Sequence, residues 1–433
     1  MVDWAIVVGY VLFALAVGVY FLKKASSSVE QFFVSGRSLP WWLAGTSMAA
    51  TNFSIDTPLA ISGYVAKEGV AGVWFFWASG IAAMLATFLF ARLWRRAEVI
   101  TDAEIIELRY NGKEASALRV FKGLYFGVLI NCFVMGWVMT ALLKVMKEVT
   151  SLDRLTILII FVVIALAYTL LSGFWGVVVT DLVQYVIALA GSIAVAVYSV
   201  RAAGGVDAMI TKAQQSVSIH RCLTNLWGPD CVTLHRMTDF WPSFTDEKSM
   251  MPLSVFLVYV GMQWWAHKYS DGGGKTIQRM SSTKNERQAV LATLWFALAN
   301  YALQVWPWII TGLAGLATFG RLADPEVLYP RMMMAHLPHG LLGLAVVALL
   351  GAFMSTIDTH LNLGASYMVN DLYRRFLVKD ASEAHYVVAS RVSMVLNMAV
   401  ACVIGWQIES VGAAWKFVLA FSSGAGLTYI VRW

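Results

Sequence analysis

The residues best suited to chemistry lie in the middle of an apolar segment, Gly45–Gly63. Its centre carries the polar residues Ser47, Thr51, Asn52, Ser54, Asp56 and Thr57, followed by Pro58. Polar and ionisable groups within a membrane are expensive and usually face a cavity or a partner. Proline lacks the amide donor that a helix needs, so we predict a break near Ile55–Thr57. Unwound backbone at membrane depth must be surrounded by protein or water, which indicates a binding site.

A second polar set lies further along the chain, between Gly351 and Asn362. Ser355, Thr359 and Asn362 are spaced to share one helix face, and Thr356 and His360 share another. Taken singly, a buried hydroxyl commonly bonds the carbonyl four residues earlier in its own helix. Adjacent hydroxyls combined with a broken helix instead favour a hard cation, which prefers several oxygen ligands. Neutral oxygens hold a monovalent ion weakly, so sodium fits this pattern best.

Membrane spans must position these residues. The 433 residues are 59% hydrophobic and 13% charged, whereas soluble proteins are about 25% charged. The net charge of +6 is carried by loops between spans, where membrane topology explains it, so we do not expect nucleic acid as a partner. We predict eleven spans of roughly 20 residues or more, at approximately 4–22, 41–66, 71–94, 118–143, 154–173, 175–201, 251–268, 289–318, 338–372, 384–408 and 411–431.

One transmembrane domain is predicted over 1–433: a first helix at 4–22, five spans within 41–201, an extracytoplasmic loop at 202–250, and five spans within 251–431. Lys and Arg, including Arg279, concentrate on the inner side if the N-terminus lies outside, as expected in a bacterial inner membrane.

Cys222 and Cys231 in the loop form either a disulfide or two unpaired thiols. The chain stops at Trp433 directly after a span, so we expect a C-terminal truncation.

A second interrupted segment follows the loop. The apolar run from Pro252 to Trp265 is shorter than a span and is followed by a glycine-rich stretch, 272–274. Each interrupted segment precedes four further spans. Broken segments at corresponding positions of two halves indicate a transporter built from inverted repeats. Trp264 and Trp265 either line a substrate path or serve as interfacial and core aromatics.

Several of these motifs resemble the sodium:solute symporter family, which has the leucine-transporter fold. The resemblance is carried by SGRSLPWWLAG, TDAEIIELRYN (101–111), TDLVQ (180–184), IQRMSSTKN (277–285) and AFMSTIDTHLNLGASYMVNDLY (352–373), and WPWI (306–309) points to a bacterial subgroup. It implies an all-α polytopic membrane protein with a five-plus-five inverted repeat and one extra N-terminal helix. It also implies sodium as the co-transported ion, and no organic cofactor is expected.

The resemblance further implies a set of sodium ligands. They would be the backbone carbonyls of Ala50, Phe53 and Ala352 and the hydroxyls of Ser355 and Thr356. Asp181 matches an acidic residue on the family's sodium release path. The alternative for Asp181 is a satisfied carboxylate at a helix end.

Candidate substrate contacts follow from the same resemblance and from the broken segments. Asn52 agrees with an asparagine that sugar carriers of the family use near the substrate, whereas Phe76 and Thr57 replace their acidic and glutamine contacts. Asp56 pairs with a substrate ammonium or caps the half-helix that begins at Thr57. Tyr269 matches a gate aromatic if the glycine-rich stretch carries no gap. The candidate set is Asn52, Asp56, Thr57, Phe76, Gln263, Trp264 and Tyr269.

These features predict a secondary active transporter. It would couple inward sodium movement to uptake of a small polar organic solute (a sugar, an amino acid or a carboxylate) by alternating access. The alternative is a membrane sensor module of a signalling protein with the same fold. No enzyme is expected, because the seven histidines include no HExxH metal motif and no GxSxG nucleophile elbow is present. The expected partners are the solute, sodium and the lipid bilayer.

Overall fold

The computed structural model describes residues 2–224, 236–242, 252–263 and 271–422, and this part of the chain is almost entirely helical. Its helices are, in order, α1 (Val2–Ala25), α2 (Val29–Val34), α3 (Trp41–Asn52), α4 (Asp56–Glu68), α5 (Val70–Ala97), α6 (Ile105–Arg109), α7 (Lys113–Val149), α8 (Arg154–Leu171), α9 (Gly173–Ala203), α10 (Val206–Thr224), α11 (Leu253–Met262), α12 (Gly273–Ser281), α13 (Glu286–Phe319), α14 (Leu328–His336), α15 (Leu341–Leu377), α16 (Glu383–Gln407) and α17 (Val411–Ser422).

Eight of the described helices are long and apolar enough to cross a membrane: α1, α5, α7, α8, α9, α13, α15 and α16. The other three predicted spans fall on shorter elements, namely the α3–α4 pair, α11 and α17. Length and hydropathy alone therefore located the long apolar helices, because each continuous apolar run folds as a helix that satisfies its own backbone groups.

The break in the first polar segment lies slightly earlier than predicted. Helix α3 ends at Asn52 and α4 begins at Asp56, so the unwound residues are 53–55 rather than 55–57. Pro58 sits inside the first turn of α4, where a backbone amide has no helical acceptor in any case, and therefore does not mark the break itself. The Phe53 amide closes α3 on the Ala49 carbonyl at 2.8 Å.

Gly173 separates α8 from α9 through a left-handed backbone, with φ 54° and ψ −169°. A Cβ atom at this position would lie 2.6 Å from the Cβ of Ala25. Both the backbone angle and the close approach of α1 thus require glycine here. The predicted boundary between the spans ending at 173 and beginning at 175 falls on this kink.

The predicted loop at 202–250 is not wholly a loop, because α10 occupies Val206–Thr224. This helix packs against α13, and the Ser216 hydroxyl lies 3.4 Å from the Leu316 carbonyl. Its sequence is too polar for a membrane span, so the apolar runs that predict spans do not predict this helix. Cys231 and the side chain of Cys222 lie outside the described residues, so the disulfide stays a prediction.

Helix α15 is buried on nearly every face from Ala345 to Ser366. It packs against α1, α3, α7 and the α8–α9 pair. A helix buried all round is normally apolar all round. The polar residues in the middle of α15 must therefore find partners inside the protein, and these partners define the site.

Candidate ion site and solute cavity

One polar face of α15 meets an internal group of charged and hydroxyl side chains. The Ser355 hydroxyl donates to Asp181 Oδ1 at 2.6 Å. One turn later, Thr359 Oγ1 accepts from Arg279 Nη2 at 2.7 Å. The face ends at Asn362, whose Oδ1 accepts from Gln278 Nε2 at 2.8 Å. The predicted stripe is therefore engaged by partners from α9 and α12 rather than by its own helix alone.

The break after α3 lies directly against α15. The Thr356 hydroxyl is 3.2 Å from the Thr51 carbonyl and 3.0 Å from the Ala352 carbonyl. Because α3 ends at Asn52, its last carbonyls, including that of Ala50, lack the amide donors of a further helical turn. Ala50, Phe53 and Ala352 are each no more than 2% exposed. The structure thus brings together the two segments that supply the five predicted sodium ligands.

Arg279 is the central cation of this region. Its Nη2 lies 3.3 Å from Asp181 Oδ2, and its Nε and Nη2 reach the hydroxyls of Ser47 at 2.7 Å and Thr51 at 2.9 Å. The side chains of Arg279 and Asp181 are 1% and 0% exposed. Asp181 lies in the interior of α9, so the helix-end alternative for this carboxylate is wrong.

The placement of Arg279 also corrects the sequence interpretation, which assigned it to the inner loops. In the sequence alone, a single arginine in a short polar helix cannot be distinguished from an arginine in a loop. Its partner Asp181 lies 98 residues away in the chain, so spacing gave no indication of the pair. Buried arginine is tolerated where it is paired and hydrogen-bonded, as it is here.

Asp358 adds a second carboxylate that the sequence interpretation missed. It is fully buried, and the Tyr168 hydroxyl donates to its Oδ2. Its other oxygen, Oδ1, has no hydrogen-bond partner in the described part of the chain. With Asp181 and Arg279, the cluster holds two carboxylates against one guanidinium, a formal excess of one negative charge. Asp358 was overlooked because it belongs to neither of the two hydroxyl stripes of α15.

The second polar face of α15, Thr356 and His360, lines a cavity of about 260 Å³. Four of the predicted substrate residues line it as well: Asn52, Asp56, Thr57 and Phe76. Trp264 and Tyr269 lie outside the described residues, as does the side chain of Gln263. The cavity and the α3–α15 junction share Thr356, so the candidate ion site and the cavity are adjacent.

Asp56 does not cap the half-helix. Ile55 occupies the N-cap of α4, which has no side-chain capping bond, and Asp56 is the first residue of the helix. Asp56 Oδ2 instead accepts a hydrogen bond from Trp415 Nε1 of α17 at 3.0 Å. Two further lining residues, Lys275 and Trp415, were not predicted. In the sequence, Lys275 stands in Gly273-Gly-Lys-Thr, which resembles the end of a phosphate-binding loop but has Tyr269 where that motif needs a glycine and no preceding strand, so nucleotide binding was not predicted there.

Comparison with known proteins relates this chain to one protein family. The family model described as "Sodium:solute symporter family" matches residues 32–431. The chain is 23% identical to a sodium/glucose cotransporter of Vibrio parahaemolyticus, over 95% of this chain and 76% of that protein. It is also 23% identical to sodium/glucose cotransporter 1 of Ovis aries, over 98% of this chain and 66% of that protein. The chain thus spans about two thirds of the mammalian relative.

Solved structures agree on the fold. A Na⁺-coupled sialic acid symporter in a substrate-bound outward-open state superposes with a TM-score of 0.78 and 18% identity, over 98% of this chain and 85% of that one. MhsT in complex with L-phenylalanine superposes with a TM-score of 0.57 and 16% identity, over 89% and 85%. The predicted leucine-transporter fold is confirmed. The relatives named here are transporters, which confirms the assignment to a transporter class and gives the sensor alternative no support. The chain belongs to the sodium:solute symporter family.

Proposed function

We propose that this protein couples inward sodium movement to the uptake of a small polar organic solute by alternating access. The observation that carries the proposal is the junction between α3 and α15. There, the Thr356 hydroxyl meets the carbonyls of Thr51 and Ala352. Buried carbonyls at the end of α3, facing the hydroxyls of α15, are the oxygen-rich surroundings that a hard cation requires.

The proposed sodium ligands are the carbonyls of Ala50, Phe53 and Ala352 and the hydroxyls of Ser355 and Thr356. Both hydroxyls donate their protons elsewhere, Ser355 to Asp181 and Thr356 to carbonyls. Their oxygen lone pairs therefore remain available to a cation. Asp181, which accepts the Ser355 hydrogen bond, places a carboxylate beside the same position and favours a cation there.

Asp181 is proposed to lie on the sodium release path. It directly accepts the hydrogen bond of Ser355, so a cation that leaves this hydroxyl meets a carboxylate next. The driving force is adequate, because one charge crossing about 100 mV contributes ~2.3 kcal/mol, or roughly fifty-fold accumulation. In a bacterial inner membrane with the N-terminus outside, as the loop charges favour, inward sodium movement would deliver the solute to the cytoplasm.

The fold does not identify the solute. The relatives and structural neighbours named above are described with glucose, sialic acid and L-phenylalanine. These compounds share no functional group that the scaffold itself must recognise. The solute of this chain therefore has to be inferred from the side chains that line its own cavity.

The ion site can be tested without knowing the solute. We expect the melting temperature of the purified protein to rise with NaCl but not with KCl at constant ionic strength. Thr356→Ala and Ser355→Ala should abolish most of this rise, because each removes a ligand oxygen. Thr293→Ala and Ser390→Ala are matched controls, since they remove buried hydroxyls that bond only their own helices.

Three outcomes would overturn the proposal. A melting temperature indifferent to sodium would remove the ion from the mechanism. A sodium response retained in both Ser355→Ala and Thr356→Ala would place the ion elsewhere. Sodium binding without any sodium-driven uptake by vesicles across a broad solute panel would favour the sensor alternative instead.

A further inference from the structure

Two oppositely charged side chains face the cavity from the two interrupted segments. Asp56 is the first residue of α4, immediately after the unwound residues 53–55. Lys275 is the third residue of α12, after two glycines with positive φ, Gly272 at 111° and Gly273 at 68°. Both side chains line the same cavity. Each half of the molecule thus contributes one charge from the first turn of its half-helix.

The Asp56 carboxylate is incompletely satisfied. The residue is 2% exposed, and Oδ2 accepts from Trp415 Nε1 at 3.0 Å. Oδ1 is buried and has no hydrogen-bond partner among the described residues. A buried carboxylate oxygen without a donor is unfavourable, so a ligand that supplies a donor would gain binding free energy there.

Lys275 does not supply that donor. Within the described residues, no hydrogen bond or ion pair joins its ammonium to Asp56 or to any other side chain. The two charges are nevertheless close enough to interact electrostatically across the cavity. They are therefore separated by space that a ligand could bridge, rather than joined as a structural ion pair.

The rest of the lining is rich in aromatic side chains. Phe75, Phe76, Trp137, Phe296, Tyr301 and Trp415 all contribute to it, and the rings of Phe76 and Tyr301 lie 5.2 Å apart. The volume of about 260 Å³ is below the roughly 300–1,000 Å³ of cavities that take drug-sized ligands. A small molecule with charged ends and an apolar body matches these walls.

We propose that the transported solute is a zwitterion, whose ammonium pairs with Asp56, whose carboxylate pairs with Lys275 and whose apolar part packs on the aromatic walls. This inference rests on the proposed transport function and specifies its substrate class as small amino acids with apolar side chains. A neutral sugar would leave both buried charges unpaired. A simple carboxylate would leave Asp56 unpaired, and a simple amine would leave Lys275 unpaired, so each binds with an uncompensated charge.

The test uses the full chain in detergent, with binding read from the melting temperature in NaCl. The probes are L-leucine and L-phenylalanine, their amides (which lack the carboxylate), their N-acetyl forms (which lack the ammonium), and glucose. We expect a free amino acid to stabilise the protein and to bind at least tenfold more tightly than its amide or N-acetyl form. Glucose should give no stabilisation.

Substitutions then assign each charge to one end of the ligand. Asp56→Asn should weaken the amino acid at least tenfold but leave the N-acetyl form unaffected. Lys275→Gln should weaken the amino acid similarly but leave the amide unaffected. Lys67→Gln changes an exposed charge on α4 and should alter none of these affinities. A retained sodium-dependent rise in melting temperature shows that each variant is folded.

The outcomes separate this inference from the function on which it rests. If sodium stabilises the protein but glucose binds and no free amino acid does, the zwitterion assignment is wrong and sodium coupling survives. The assignment is equally wrong if both derivatives bind as well as the free amino acid, or if neither substitution discriminates between them. If sodium itself has no effect, the proposed function fails first.

Discussion

Replacing Arg279 with methionine tests the charge balance of the buried cluster. Methionine keeps much of the side-chain volume but removes the guanidinium that pairs with Asp181 at 3.3 Å. Asp181 and Asp358 would then have no fixed counter-charge. Breaking a buried ion pair by removing one partner costs about 3–5 kcal/mol. Because the hydroxyls of Ser47 and Thr51 already bond Asp181 and Thr359, we attribute the loss mainly to the unpaired carboxylates.

The assay is the melting temperature of the purified variant in KCl and in NaCl. Domains of 150–250 residues shift by roughly 2–4 °C per kcal/mol, and a chain of 433 residues by roughly 1 °C. A loss of 3–5 kcal/mol therefore predicts a decrease of roughly 3–6 °C in KCl. NaCl should recover part of the decrease, because a bound sodium ion restores a positive charge beside Asp181. The sodium-specific rise should therefore be larger in Arg279→Met than in the unsubstituted protein.

Two further variants separate charge from packing. Arg279→Met combined with Asp181→Asn should recover much of the lost stability, since the unpaired carboxylate is neutralised. Arg331→Met is the matched control, because its pair with Glu148 is exposed and 3.4 Å long, and such surface pairs contribute about 0–1 kcal/mol. The reasoning is refuted if Arg279→Met melts like the Arg331→Met control, or if the two substitutions at 279 and 181 are simply additive.

Three other predictions concern single positions. Gly173→Ala should lower the melting temperature in KCl and NaCl alike, because the positive φ of Gly173 and the nearby Ala25 Cβ would strain the variant by about 1–3 kcal/mol. An unchanged melting temperature would contradict the kink at Gly173. Asp358→Asn should raise, several-fold, the NaCl concentration at half-maximal stabilisation, since it replaces a carboxyl group whose Oδ1 has no hydrogen-bond partner in the described part of the chain. An unaltered midpoint would remove Asp358 from the ion site. Burial raises the pKa of Glu107, but hydrogen bonds from Ser116, Arg119 and Arg375 outweigh it and lower that pKa from 4.5 to about 2. Glu107 therefore stabilises the fold above pH 4.5 and loses this effect as the pH falls towards 2. The Glu107→Gln variant should be less stable than the unsubstituted protein at neutral pH, and the two should become equally stable under acid conditions. A difference in stability that does not change with pH would contradict this role of Glu107.

Much of the fold followed from hydropathy. Each long apolar run became a helix, because backbone groups in a membrane have no alternative partner. The boundary at Gly173 was visible as well, since a glycine interrupts two otherwise continuous spans. The α10 helix was not visible, because a helix outside the membrane needs no long apolar run and the pattern that predicts spans does not detect it.

The candidate site was predictable only where its signal was local. Ser355 and Thr356 stand out as adjacent hydroxyls in a buried helix, and the break near Asn52 stands out as polar residues in an apolar segment. Arg279 gave no such signal, because its role depends on partners on other helices. Asp358 did carry a local signal, as an ionisable residue inside a predicted span, but the neighbouring hydroxyls were considered instead. The resemblance placed Asp181 correctly within a buried helix, but it did not predict the arginine that faces it.

Arg279 has a consequence for the half of a transport cycle in which the carrier returns without cargo. A protein that relies on a mobile cation to hold its helices together would come apart at this point whenever that cation departed. Here the guanidinium of Arg279, which is part of the protein, bonds side chains of α3, α9 and α15 at once. These contacts join the two repeats without requiring a bound ion.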